Sequence, residues 1–194
     1  MAIITNALDA VPFEAQLEFT RNRFDPDAYF AQHGFDPSLI DLRRYAGRED
    51  ALRQLLLRFK VIWAVGGNTF LLRRAMRESG FDRIIGDLLK SGIVYGGWSA
   101  GACVAGDNLQ AVGLMDEPHA EAPGYLGSSI VWEGLNLVPF SILPHYRSDH
   151  PEAPMAAKAV DWAAKQKIEF RALRDGDVLI VENGGAPTLL LRTR

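Results

Sequence analysis

Apolar and polar positions along the chain fall into two textures. Short apolar, β-branched runs lie at residues 2–6, 39–42, 60–65 and 93–95. Between them, at residues 14–33 (with a break at Asp25-Pro26), 49–59 and 70–91, apolar residues recur at helical spacing. Strands alternating with helices predict a parallel sheet covered by helices on both faces. The last third reads differently. After a helix at 153–166, strands at 168–173, 178–182 and 188–191 are separated by Asp175-Gly176 and Asn183-Gly184. Such dipeptides favour tight hairpins and predict antiparallel pairing. The expected fold is α/β, three layers α/β/α, with a mostly parallel sheet and antiparallel strands at the C-terminal end. No repeat, low-complexity tract or linker divides the sequence, so residues 1–194 are expected to form a single domain.

Composition narrows the functional classes. Of 194 residues, 48% are hydrophobic and 23% charged, as in ordinary soluble domains. The net charge of -3 and the lack of a basic block give nucleic-acid binding no support. The one cysteine, Cys103, cannot form an internal disulfide or build a zinc cluster alone, which fits a reducing compartment. No run approaches the roughly 20 apolar residues of a membrane span. The N-terminus lacks the basic start and long apolar core of a signal peptide. The expectation is a cytoplasmic protein, with no membrane association.

The sharpest chemical signal is Gly97-Trp98-Ser99-Ala100-Gly101, a Gly-x-Ser-x-Gly pattern following a predicted strand. A serine on a sharp strand-to-helix turn has its hydroxyl exposed, and glycines on either side let the turn close. The Ala100 N–H and the N-terminus of the following helix then face a developing oxyanion. The plainer alternative is a serine that caps the helix. A second loop, Val65-Gly66-Gly67-Asn68-Thr69, also ends a strand and opens a helix, making Gly67, with Gly66 beside it, the other candidate oxyanion donor. Asn68 or Thr69 is expected to cap that helix. Neither a P-loop nor Gly-x-Gly-x-x-Gly is present, so nucleotide binding is not expected.

A serine hydroxyl needs a base, and histidine suits that task near neutral pH. Of four histidines, His33 ends a predicted helix, His119 lies in a loop, and His150 precedes Pro151 at a helix boundary. His145 follows the apolar run 137–143 and Pro144, which places it at the mouth of a buried strand, and it is the expected base. For the carboxylate that orients the imidazole, Asp116 is the first choice, with Glu117 as fallback; Asp107 is expected only to end the elbow helix. A metal site from His119, Glu121, His145 and His150 lacks compact ligand spacing. No metal or cofactor is expected.

These residues resemble dipeptidase E (aspartyl dipeptidase, peptidase family S51), whose fold is related to class I glutamine amidotransferase domains. The resemblance is carried by Gly66-Gly67-Asn68-Thr69-Phe70, by Gly97-Trp98-Ser99-Ala100-Gly101-Ala102, by Asn136-Leu137-Val138-Pro139-Phe140 leading into Pro144-His145-Tyr146, and by Ala172-Leu173-Arg174-Asp175-Gly176. It implies Ser99 as nucleophile, His145 as base, Asp116 as the acidic member, and Gly67 and Ala100 as oxyanion donors. It further implies a cofactor-free hydrolase of short peptides, best known for dipeptides with N-terminal aspartate; the expected partner is a small peptide substrate, and the expected assembly a monomer or homodimer. Arg147 is the candidate partner for a substrate carboxylate. The family also implies a strand ahead of residues 2–6 that this sequence does not contain. Alternatives are a serine hydrolase of other specificity (other dipeptides, isopeptides or esters), an α/β-hydrolase proper, a glutamine amidotransferase using Cys103, and a non-catalytic binding module on the same fold.

Overall fold

The computed structural model describes residues 1–12, 14–16, 18 and 25–192. Within the expected helix 14–33, positions 17 and 19–24 lie outside the described residues. The break at Asp25-Pro26 starts helix α1 (Pro26–Gln32), with the Asp25 carboxylate accepting from the Asp27 and Ala28 N–H groups. Asp25 is thus an N-cap and Pro26 fills the first helical position, where its missing N–H costs nothing.

Four parallel strands form the central sheet in the order β2 (Ser38–Ile40), β1 (Ala2–Ile4), β3 (Val61–Ala64), β4 (Val94–Gly97). β3 pairs with β4 from Val61 opposite Val94 to Ala64 opposite Gly97. Because side chains alternate across a strand, β1 and β3 feed two cores. Ala2, Ile4, Ile62 and Ala64 face one core with helices α2 (Glu49–Leu56), α3 (Thr69–Ser79) and α4 (Phe81–Lys90). Met1, Ile3, Val61, Trp63 and Val65 face the other with Phe30 of α1 and Trp98. Helices therefore cover both faces, as the strand–helix alternation predicts.

The expected continuous helix 70–91 is two helices. Gly80, at φ 79°, ends α3 and begins α4 in the left-handed region that glycine enters without steric cost. Beyond β4 come a single-turn helix α5 (Ala100–Cys103), strand β5 (Ser141–Leu143) and helix α6 (Ala153–Gln166). They are followed by β6 (Phe170–Ala172), β7 (Val178–Ile180) and β8 (Thr188–Leu190). The Asn183-Gly184 turn does join an antiparallel pair, β7 with β8. The Asp175-Gly176 turn does not: β6 pairs with β5, and in parallel. That pairing runs on past the strands, through Leu173 N–H to Leu143 O and Tyr146 N–H to Leu173 O. The chain ends of β5 and β6 therefore emerge side by side. No helix among the described residues is long and apolar enough to cross a membrane.

Candidate active site

Open parallel sheets gather ligands outside the C-terminal ends of their strands. Here the turns after β3 and β4 meet at that end. Ser99 follows β4 at φ 48° and ψ −118°, a backbone state that costs a non-glycine residue roughly 1–3 kcal/mol. Its carbonyl accepts from the Ala102 and Cys103 N–H groups, while its side chain makes no capping bond. The hydroxyl is thus left free of the role that the plainer reading gave it. The two flanking glycines are required by contact. A Cβ on Gly101 would stand 2.1 Å from the Ala64 carbonyl oxygen, and one on Gly97 would stand 2.7 Å from the Gly101 backbone. The turn closes because α5 packs directly on β3. As α5 is only one turn long, its macrodipole is slight and the expected help from a helix N-terminus reduces to the Ala100 N–H itself.

The loop after β3 lies against this serine. A Cβ on Gly66 would come within 3.0 Å of Ser99 Cβ, and one on Gly67, at φ 131°, within 2.4 Å of the Ala7 carbonyl oxygen. Asn68 caps α3 through Oδ1, which accepts from the Phe70 and Leu71 N–H groups, and its Nδ2 donates to the Glu117 carbonyl. Among the described residues, the Gly67 and Ala100 N–H groups have no acceptor within the protein.

His145 comes to this corner from the other strand pair. At φ 64° it turns the chain out of β5 and points its ring at the serine, with Nε2 at 3.2 Å from Ser99 Oγ. The side chain is 12% exposed. Its Nδ1 meets Asp175 Oδ1 at 2.7 Å. That carboxylate fixes the tautomer: Nδ1–H donates to Asp175 and Nε2 is left to accept from the serine. Ser148, in the turn after His145, accepts from the Asp175 N–H through Oγ at 2.8 Å and so ties the two turns together.

The carboxylate beside His145 is therefore not the expected Asp116, nor the fallback Glu117. Asp116 Oδ2 accepts from the Thr69 N–H at 2.8 Å, at the first turn of α3. Burial raises its pKa above the usual carboxylate value, opposed by its hydrogen bonds to Thr69. Glu117 turns back to accept from the His119 N–H. Asp116 and Glu117 instead hold the turn that carries Gly66 and Gly67. In the sequence Asp175-Gly176 reads as a hairpin turn; the signal that points to Asp175 is its place in the segment Ala172-Leu173-Arg174-Asp175-Gly176, which carries the family resemblance.

Other candidates separate clearly. His33 Nδ1 pairs with the Tyr29 carbonyl at the end of α1, as its helix-end position suggests. Asp107 accepts from Asn108 Nδ2. Cys103 is buried in an apolar cluster, and burial pushes its thiol well above its usual pKa, which does not suit a nucleophile. Arg147 is exposed and lies over the Tyr146 ring, 4.9 Å from its centroid. His150 stacks on His145 at 3.8 Å with the rings 9° apart, and Glu152 Oε2 lies 3.7 Å from His145 Nε2. Among the described residues, His145, His150 and Glu152 form the one metal-capable group, without His119 or Glu121. Metals bind imidazoles in the ring plane, and two parallel stacked rings share no such plane, so this group is a poor chelate.

Comparison with known proteins bears on the family and the fold. The sequence profile of peptidase family S51 matches residues 23–189. An uncharacterized peptidase of Listeria monocytogenes is 33% identical over 108 residues, covering 55% of this chain and 50% of that protein. Peptidase E of Escherichia coli is 36% identical over 93 residues, covering 48% of this chain and 37% of that protein. The chain thus spans half or less of the length of these curated relatives. A crystal structure of a provisionally named peptidase E protein from Listeria monocytogenes superposes with a TM-score of 0.75 at 21% identity, covering 99% of this chain and 85% of that one. That likeness establishes the fold.

Proposed function

Since the chain belongs to peptidase family S51, we propose that it is a serine peptidase acting on short peptides, with Ser99 as nucleophile, His145 as general base and Asp175 as the orienting acid. The observation that carries this reading is the unbroken chain from Ser99 Oγ through both ring nitrogens of His145 to Asp175. Nε2 takes the serine proton as Oγ attacks the scissile carbonyl, and Asp175 stabilises the imidazolium that results. Charge developing on the carbonyl oxygen is received by the N–H groups of Gly67 and Ala100, with Gly66 keeping side-chain bulk out of the approach. The imidazolium then protonates the leaving amine. Water, activated by the same ring, hydrolyses the acyl-enzyme and returns Ser99 to its free form. No step calls on a metal or organic cofactor.

A preference for N-terminal aspartate is the narrower form of the proposal, with Arg147 meeting the substrate carboxylate. Arg147 favours it. Asp175 and Glu152, whose carboxylates approach His145 to 2.7 and 3.7 Å, oppose it. Short peptides as a class are therefore the proposed substrates. Two measurements test the whole. A fluorophosphonate probe should label the native protein and not Ser99→Ala. A dipeptide library should be cleaved by the native protein, with Asp-X substrates turned over fastest if Arg147 sets specificity. Equal labelling of both proteins ends the serine assignment.

A further inference from the structure

Away from Ser99, one to two turns along α3, a cavity of about 360 Å³ opens between α3, α4 and the segment 133–135. It is lined by Arg73, Arg77, Asp82, Arg83, Glu133 and two neutral residues. Arg73 is the anomaly. Its side chain is only 2% exposed, yet its guanidinium is not fully engaged. Nε donates to the Glu133 carbonyl at 2.7 Å and Nη2 to Asp82 Oδ2 at 3.0 Å, while Nη1 is buried with no partner among the described residues. An unmet buried donor on a charged group is costly, and natural structures rarely leave one.

The surrounding groups extend the imbalance. Arg77 Nε donates to the same Asp82 oxygen at 2.7 Å, and Arg83 Nη1 lies 3.7 Å from Asp82 Oδ1. Arg83 also bonds Glu49, which is not part of the lining, and Arg77 Nη2 is 3.9 Å from the well-exposed Glu133 carboxylate. Each guanidinium offers five N–H donors in a planar fork. Asp82 is a single carboxylate facing three of them; its Oδ2 takes two of the guanidinium bonds, and its Oδ1, like Arg73 Nη1, is buried with no hydrogen-bond partner among the described residues. The lining thus carries more cationic donors than its own acceptors use. Asp82 and Arg83 also stand in the first turn of α4, whose dipole favours a negative group there.

We propose that this cavity binds a small oxyanion, a phosphate or carboxylate group, anchored by Arg73 and clasped by the half-exposed Arg77 and Arg83. Arginine forks match both chemistries bidentately, so free phosphate and small organic acids are the two sources to separate. The site is independent of the Ser99 chemistry and stands or falls without it.

Isothermal titration calorimetry of the native protein with inorganic phosphate, and separately with succinate, in potassium chloride of matched ionic strength, tests it. One-site saturable binding of either anion is expected, weakened about tenfold or more in Arg77→Gln/Arg83→Gln, and the tighter anion names the source. Those two side chains are half exposed, and thermal unfolding in chloride confirms that the variant folds. Absence of saturable binding of both anions, or equal affinity in native and variant protein, overturns the proposal.

Discussion

Replacing Asp175 by Asn is the most informative perturbation. In the native site the carboxylate lies 2.7 Å from Nδ1. When His145 becomes an imidazolium, two unit charges at that separation attract by about 1.5 kcal/mol at the dielectric of water and about 6 kcal/mol at an effective value of 20. Asp175 is 39% exposed, so water screens part of this interaction. A middle value of about 2–4 kcal/mol corresponds to a rate loss of about 30- to 1000-fold. Asn adds a second penalty. Its amide donates to Nδ1, which forces the proton onto Nε2 and removes the acceptor that Ser99 needs; in a serine triad of the same logic the combined loss is about 10⁴-fold. The expected fall in kcat/KM for Asp175→Asn is therefore about 10³–10⁴-fold, with little change in thermal stability. Steady-state hydrolysis of the best dipeptide, together with the rate of fluorophosphonate labelling, measures it. Asp116→Asn is the paired control: its amide oxygen still accepts from Thr69, so its loss is expected to stay under about tenfold. A Asp175→Asn variant within tenfold of native activity, or an Asp116→Asn variant equally impaired, would refute the assignment.

Four further expectations concern burial and packing elsewhere in the chain. The Asp116 pKa is raised in the folded protein by burial, so its contribution to stability is fullest below the unfolded value of 3.8 and is lost as pH rises through the folded one. Asp116→Asn should accordingly raise Tm at pH 7, by an amount that shrinks toward pH 4 in paired thermal scans. Gly101→Ala drives a methyl to 2.1 Å from the Ala64 carbonyl oxygen and should cost about 1–3 kcal/mol in urea unfolding. By contrast, Gly86→Ala in α4 meets nothing within 4 Å and should gain about 0.5–1 kcal/mol. Cys103, buried and with its thiol pKa raised, should resist Ellman's reagent in the native state and react fully in denaturant.

The parallel sheet was legible because its strands are short, apolar and bounded by glycine, with helices of clear period between them. The elbow was legible for a related reason: Gly97 and Gly101 are demanded by contacts within a few residues and with the neighbouring strand. Pairing across distance was not legible. Asp175-Gly176 and Asn183-Gly184 look alike as dipeptides, yet only the second closes a hairpin. The first follows a strand already committed to β5 in parallel, and local sequence says nothing about that partner. The same blindness led to Asp116, whose spacing between Ser99 and His145 suits an acid but whose carboxylate holds the Thr69 N–H instead. Arg73 carried no sequence signal, since nothing in a helical pattern marks which arginine will be buried without a full set of partners.

The division of the site-bearing strands between two separate ladders has a mechanical consequence. His145 and Asp175 leave adjacent ends of one ladder and are stitched together by Ser148, whereas Ser99 rides on the other. Imidazole and acid therefore travel as a pair, and the 3.2 Å gap to the hydroxyl is the seam along which the machinery comes apart. Mild denaturant or pressure that loosens the packing between the ladders should silence turnover while both ladders are still folded.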